Sequence, residues 1–288
     1  MANLKEIRNR ITSVGSTMQI TSAMKMVSAA KLKKAQDAIT AMRPYADKLT
    51  ELLQSVSASL EGESGSVFAQ QRDVKNVLVV AITSNRGLCG AFNTNVIKES
   101  SKLANTVYAD KKVSFMTVGK KGNDIISKNH YVIHNNNSIY DELTFENASE
   151  ITQRLMEVYT EGTYDKIVLV YNHFRNAATQ IVKTENFLPI QPMAQEEVAS
   201  SAADYIFEPS KLEIVETLIP KSLKTQLYKA IRDSFASEHG ARMTAMHKAT
   251  DNAKELKSEL VLTYNKARQA AITNEILEIV GGAEALNN

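Results

Sequence analysis

The two ends of this chain constrain its fold most. Alternating steps of three and four residues from Leu4 meet Ile7, Ile11, Val14 and Met18. After Thr21, Lys25 and Ser28 the same steps meet Leu32, Ala35, Ile39, Met42, Ala46, Leu49, Leu53, Val56 and Leu60. Fourteen of these seventeen positions are apolar or alanine, which predicts one long helix or two nearly collinear ones. Such a helix would be roughly 85 Å long. Pro44 is expected to kink or divide it. In the polar gap the apolar row moves to Ile20, Met24 and Val27, which reads as a stutter in the seam. The stretch AMKMVSAAK (23–31) would then present Met or Ala on more than one face.

At the far end Met246, Ala249, Ala253, Leu256 and Leu260 keep the same step, and no proline follows Pro220. This predicts a second helix on the order of 60 residues and 90 Å. Gly281-Gly282 is its expected stop. Neither apolar stripe can stay in water, and packing them together as an antiparallel coiled coil is the simplest solution.

Between the ends the period changes. The runs NVLVVAIT (76–83), KVSFMTV (112–118), YVIH (131–134) and KIVLVYN (166–172) are strand-like, with helices expected near 92–106, 120–128 and 147–161. Alternating β and α predicts a parallel sheet covered by helices, with TQIVKTENFLPI (179–190) as one more strand, antiparallel at an edge. Residues 61–73 and 189–210 read as linkers. The expected fold class is therefore α/β: a coiled-coil helix at 1–60, a Rossmann-like α/β domain at 74–190, and a second coiled-coil helix at 209–288.

The loop SNRGLCGAFN (84–93) follows the first strand and precedes a helix, which is the layout of a phosphate-binding loop. Its residues do not complete one. Ala91 and Phe92 stand where a Walker loop needs Lys and Ser/Thr, and Gly87 and Gly90 give G-x-x-G rather than G-x-G-x-x-G. VGKKG (118–122) has lysines but no Walker spacing. The loop can be a glycine-shaped turn, or a contact loop in which Arg86 and Cys89 face a partner protein. The five histidines have no metal-ligand spacing, no G-x-S-x-G elbow is present, and surface or capping roles suit the histidines better.

The net charge of +2 is too near neutral to mark the whole chain as a nucleic-acid binder. Charge is nevertheless uneven: residues 1–43 hold eight Lys and Arg against Glu6 and Asp37. That can be a solvated face, a nucleic-acid surface or a rod running through an acidic partner. Cys89 is the only cysteine, so no intrachain disulfide or cysteine-based metal site can form. No secretory signal or apolar run of membrane-spanning length is expected.

Three stretches are more specific than any of these patterns. LKEIRNRITSV…ITSAMKMVSAAKLKKA near the start, ITSNRGLCGAFN in the middle, and SEHGARMTAMHKATDNA…YNKARQAAITNEILEIVGGAEAL at the end stand in order along the chain. Together they closely resemble the gamma-subunit family of F-type ATP synthases, whose terminal signature I-T-x-E-[IL]-x-[DE]-[IL]-x-x-G-A fits ITNEILEIVGGAEA. The resemblance implies an antiparallel coiled coil beside a Rossmann-like domain. It also implies the central shaft of a rotary motor, without catalysis or cofactor of its own. The implied partners are the alpha and beta subunits of the catalytic hexamer, the epsilon subunit and the membrane ring of c subunits, with no nucleic acid. The chain would then be peripheral to the membrane, on the cytoplasmic face of a bacterial plasma membrane.

The resemblance places Met24 and Lys25 toward the beta-subunit levers. It puts Arg242, Arg268, Gln269, Thr273 and Glu275 among polar contacts between shaft and hexamer, and the Arg86–Gly90 loop, with Cys89, near the bottom of the catalytic ring. This chain departs from the family at Asn85, where S-D-R-G has aspartate, and at Lys25, where many relatives carry other residues. It has neither the insert nor the second cysteine of the chloroplast thiol switch, so no redox gating is expected.

Overall fold

The structure, a computed structural model, describes residues 4–58, 67–68, 70–190 and 211–286. Most of the first expected linker and nearly all of the second lie outside the described residues, as do Leu60 and the side chains of Leu53 and Val56.

Helix α1 spans Leu4–Ala58, and a terminal helix, α5, spans Lys211–Leu286. Between them lie β1 (Asn76–Ile82), α2 (Phe92–Lys102), β2 (Lys112–Val118), α3 (Lys120–Ile126), β3 (Val132–Asn135), α4 (Phe145–Thr160), β4 (Lys166–Phe174) and β5 (Gln180–Leu188). A π-helical turn, Leu103–Val107, prolongs α2. Two compact units result: Met1–Ser28 with Met243–Asn288, and Ala29–Arg242. Each long helix therefore contributes to both units. Among the described residues no helix is long and apolar enough to cross a membrane.

In the larger unit the strand order is β3-β2-β1-β4-β5, parallel except for the antiparallel edge strand β5. This is the sheet the alternating pattern predicts. Strand β1 is apolar at every position after Asn76 because both of its faces are covered. Val77, Val79 and Ala81 pack with Val96, Ile97 and Ile126 of α2 and α3 on one face. Leu78, Val80 and Ile82 pack on the other face with Leu155 and Tyr159 of α4. The same core takes in Ile219, Leu223, Leu227 and Ile231 of α5. The first half of α5 is thus a covering helix of the sheet as well as half of a coiled coil. One of its ties to α1 is ionic, since Asp233 Oδ1 lies 3.8 Å from Arg43 Nη2, and Asp233 Oδ2 lies 2.7 Å from His173 Nδ1 on β4. Burial raises the Asp233 pKa, and the nearby His173 and Arg43 pull it back.

In the smaller unit α1 and α5 pack antiparallel. Arg8 donates to the Tyr264 hydroxyl at 2.6 Å, and Thr250 Oγ1 donates to Thr21 Oγ1 at 2.8 Å. The expected stutter is absent here. Thr21 and Ser28 are buried on the original row, whereas of the shifted row Ile20 and Val27 are 59% and 57% exposed and Met24 is half-buried. Short hydroxyl side chains can occupy a seam because they are satisfied locally. Thr21 donates to Met18 O and Ser28 to Met24 O, each within its own helix. The seam runs through the polar gap on its original row, and Ile20 and Val27 are left facing outward.

Pro44, expected to kink or divide α1, does not divide it, and Pro220 likewise lies inside α5. A proline removes one ladder bond, and neighbours buried on the same helices, Ala46 and Leu49 or Ile219 and Leu223, offset that loss. Gly281-Gly282 does not stop α5, which continues to Leu286. Each glycine costs only about 1 kcal/mol against alanine, and no proline follows to enforce an end.

Candidate functional site

The loop after β1 is fixed from four sides. Ser84 donates its N–H to Asn93 Oδ1 at 2.9 Å and its hydroxyl to Arg86 O at 2.6 Å. Asn85 uses both halves of its amide: Nδ2 donates to Asn137 O at 2.8 Å, and Oδ1 accepts from Lys120 N at 2.9 Å. An aspartate could make only the second bond, so the asparagine is built into this loop rather than a lost acid. Below the loop Cys89 packs with Phe92 and Ala241 and is 1% exposed.

The fourth tie comes from α5. Arg242 Nη2 donates to the carbonyls of Arg86 and Gly87 at 3.1 and 3.2 Å, and Nη1 lies 2.7 Å from Glu238 Oε1. The planar fork of a guanidinium suits it to hold two carbonyls and a carboxylate at once. Burial raises the pKa of Glu238, and Arg242 opposes the shift. Next to the pair, Arg242 Nη1 lies 3.4 Å from His239 Nδ1. Burial, then the positive charges of Arg242 and Lys31, push the His239 pKa down to about 4, so its ring is neutral at pH 7. His239 meets Phe235 edge-on, Phe235 stacks on Tyr140, and the Tyr140 hydroxyl donates to Thr83 O at 2.7 Å.

These contacts decide what the loop can do. In a sheet of this order the ligand crevice lies at the carboxyl ends of β1 and β4, where the direction of winding switches. Here α5 fills that place. Arg242 holds the loop after β1, and Ser237 donates to Asn172 O on β4 at 3.0 Å. Gly240 allows the approach: a Cβ there would lie 3.1 Å from Ala177 O in the β4–β5 turn. The glycines of VGKKG also serve packing. Gly119, at φ 105°, lies against Thr83, and Gly122 N donates to Thr83 Oγ1 at 2.9 Å. Among the described residues no group of three His, Cys, Asp or Glu side chains could hold a metal ion.

The structure brings three of the expected contact residues together: Arg86, Cys89 and Arg242. Of these, Arg86 is exposed, while Arg242 and Cys89 are buried. The expectation that Cys89 itself faces a partner is therefore corrected, because its thiol is packed inward. Burial raises the pKa of that thiol despite the nearby Arg242. In the other unit Met24 and Lys25 are half-buried on α1. Arg268, Gln269, Thr273 and Glu275 are exposed on α5, with the Thr273 hydroxyl donating to Gln269 O. The sequence reading did not single out Glu238 or Leu88. The four-residue spacing of Glu238 and Arg242 was a visible signal for an ion pair on one helix face. A leucine in a loop gave none.

The comparisons with known proteins agree with this architecture. A family model described as ATP synthase matches residues 3–286. The ATP synthase gamma chain of Flavobacterium johnsoniae is 74% identical over 287 residues, covering 100% of each chain. A chain of the central stalk and c-ring of the Tetrahymena thermophila mitochondrial ATP synthase superposes with a TM-score of 0.61 at 26% identity, covering 80% of this chain and 99% of that one. A chain of the Euglena gracilis mitochondrial ATP synthase, in an OSCP/F1/c-ring assembly, does so with a TM-score of 0.72 at 25% identity, covering 98% and 94%. With a family model spanning nearly every residue and a relative matched end to end, this chain belongs to the ATP synthase gamma-chain family.

Proposed function

We propose that this chain is the central-stalk subunit of an ATP synthase, a shaft that turns with the membrane ring of c subunits and drives the catalytic subunits through their states. One observation carries the reading most directly. In the smaller unit the pairs Arg8–Tyr264 and Thr21–Thr250 set the register of α1 on α5. Continued to Leu4, that register places the start of the described part of α1 level with about residue 268 of α5, at one residue per rise on each helix. The following turns of α5 have no described partner helix, yet Ile272, Ile276, Ile279 and Val280 are 48%, 55%, 71% and 55% exposed. Their spacing puts them on one stripe, and a stripe of this kind marks a protein-binding surface.

The partners are the alpha and beta subunits, which surround the tip, together with the epsilon subunit and the c-ring. Residues 1–60 and 209–288 act as the paired helices that bear torque, and 74–190 as the Rossmann-like α/β domain. Arg268, Gln269, Thr273 and Glu275 offer polar contacts near the apolar stripe, and Met24 and Lys25 offer contacts on α1. Arg86 contacts the catalytic ring directly, while Arg242 and Cys89 act from within by holding its loop. Rotation works by differential affinity: each face of an uneven shaft favours one state of the subunit it meets. The chemistry stays with the partners, and the complex lies on the cytoplasmic face of the bacterial membrane.

Reconstitution tests this. The purified chain is mixed with alpha and beta subunits from the same source, and complexes are separated by size and assayed for ATP hydrolysis. A chain that is inert alone, enters the complex as a single copy and raises sustained turnover is expected. A chain that stays outside the complex, or hydrolyses ATP unaided, sinks the proposal.

A further inference from the structure

Leu88 occupies a position for which a leucine is poorly suited. It sits at φ 62°, the only non-glycine at positive φ among the described residues, and its side chain is 65% exposed. A leucine in the left-handed region is strained because its Cβ crowds the following carbonyl. Glycine would relieve that strain, and glycines stand close by at Gly87 and Gly90. The side chain gains little inside the chain in return, since the small apolar cluster beneath the loop is Cys89, Phe92 and Ala241 without it.

The backbone at Leu88 is not loose. On one side Arg242 holds the carbonyls of Arg86 and Gly87, and on the other Cys89 is buried. The loop is thus a rigid mount with a leucine projecting from it. The charges beside it share one sign. Arg86 and Lys120 are exposed, and Lys121 Cε would lie 3.9 Å from a Cβ on Gly87. Lys121 Nζ lies 3.8 Å from Asp124 Oδ2, and the Arg86 charge is felt by Glu238, which is already paired with Arg242. A phosphate or a nucleic-acid backbone would use the cations but has no use for a strained leucine.

We infer that Leu88 is a pre-organised apolar knob that inserts into a notch on a catalytic subunit, with carboxylates around the notch meeting Arg86, Lys120 and Lys121. The inference rests on the central-stalk reading and adds one residue and the chemistry of its receptor. Strain of this kind persists where a partner repays it. Because the mount is rigid, binding does not have to order the loop, and the knob contributes its burial nearly undiminished.

The test uses full-length wild type, Leu88→Gly and Leu88→Ala. Each is assayed for thermal melting alone and by equilibrium titration into alpha and beta subunits of the same source. Leu88→Gly is expected to melt at the wild-type temperature or up to ~3 °C higher, since relief of strain offsets the added freedom of the unfolded chain. Leu88→Ala keeps the backbone preference and is expected to melt like wild type. Both variants are expected to bind about tenfold more weakly, the loss of one buried leucine. If wild type itself fails to bind, the central-stalk reading is what falls. If wild type binds and either variant binds equally well, the knob is overturned. A clear drop in the melting temperature of Leu88→Gly also overturns it, because Leu88 would then be supporting its own fold.

Discussion

Arg242 joins two stretches of sequence that lie more than 150 residues apart, and the energetics of the loop turn on it. Replacing it with alanine leaves Glu238 buried without its counter-charge and takes a donor from two carbonyls, of which Arg86 O keeps the Ser84 hydroxyl. That is expected to cost on the order of 3 kcal/mol in urea unfolding. Arg242→Lys keeps the charge but cannot fork, so an intermediate loss of about 1–2 kcal/mol is expected. A lysine variant as stable as wild type would mean that charge alone holds the loop. His239 makes a different prediction. Its folded pKa is depressed to about 4 from an ordinary 6.5, so between those values the unfolded chain binds more protons at this site. Its contribution to stability is therefore present above pH 6.5 and is lost as pH falls toward 4. Glu238 and Asp233, with raised pKa values, act in the opposite sense, but they do so in wild type and variant alike. His239→Gln should consequently lose less stability on acidification than wild type, by roughly 2 kcal/mol after allowance for partial burial. Parallel pH–stability curves for the two proteins would remove His239 from the account.

At the scale of elements, glycines in α5 have opposite meanings that only packing reveals. A Cβ at Gly240 would press on Ala177 O at 3.1 Å and Ala177 Cα at 3.3 Å, in a turn whose N–H groups at Ala178 and Thr179 are held by Asn176 Oδ1. Gly240→Ala gains about 1 kcal/mol of helix propensity and loses a comparable amount to crowding, so a small net change is expected. Gly240→Val has no such gain and should cost about 2 kcal/mol. A Cβ at Gly281 would meet nothing within 4 Å, so Gly281→Ala should only firm the helix end, seen as added helicity by circular dichroism. A destabilising Gly281→Ala would show that this end packs against something. The contrast marks how far the sequence could be read. The strands were legible because burial on both faces writes an unbroken β-branched run, and β2 falls on KVSFMTV residue for residue. Helix ends were not, because one glycine or proline is outweighed by packing along a helix of 76 residues. The seam at Thr21 and Ser28 was misread because a hydroxyl satisfied within its own turn looks polar in sequence yet behaves as filler. In the candidate site Arg86 was found in the loop itself and Arg242 through a resemblance. Their joining was illegible, since a side chain gripping backbone carbonyls leaves no mark on the residues that supply those carbonyls.

At the scale of the whole molecule, the features that stabilise the chain and those that suit it to partners fall on different residues. The sheet core, the Asp233 tie and the Arg242 fork belong to the larger unit, and the Arg8–Tyr264 and Thr21–Thr250 contacts to the smaller. Beyond about residue 268 the helix α5 contributes almost nothing of this kind: from Ile272 to Ala283 every residue is exposed. Ending the chain at Arg268 therefore removes apolar surface that is already in water, and little burial is lost. The truncated chain is expected to show the melting temperature of the full chain to within ~2 °C. The same deletion removes Ile272, Ile276, Ile279 and Val280, and burying such a stripe in a partner is worth several kcal/mol. Binding to alpha and beta subunits should weaken by at least about a hundredfold, and sustained turnover of the assembled complex should fall with it. The two measurements separate the explanations. A truncated chain that melts early would mean that the tip supports the fold, and its exposed stripe would need another account. One that melts normally and still binds and drives turnover like the full chain would show that the stripe is not where the shaft is gripped, and the central-stalk proposal would lose the observation that carries it.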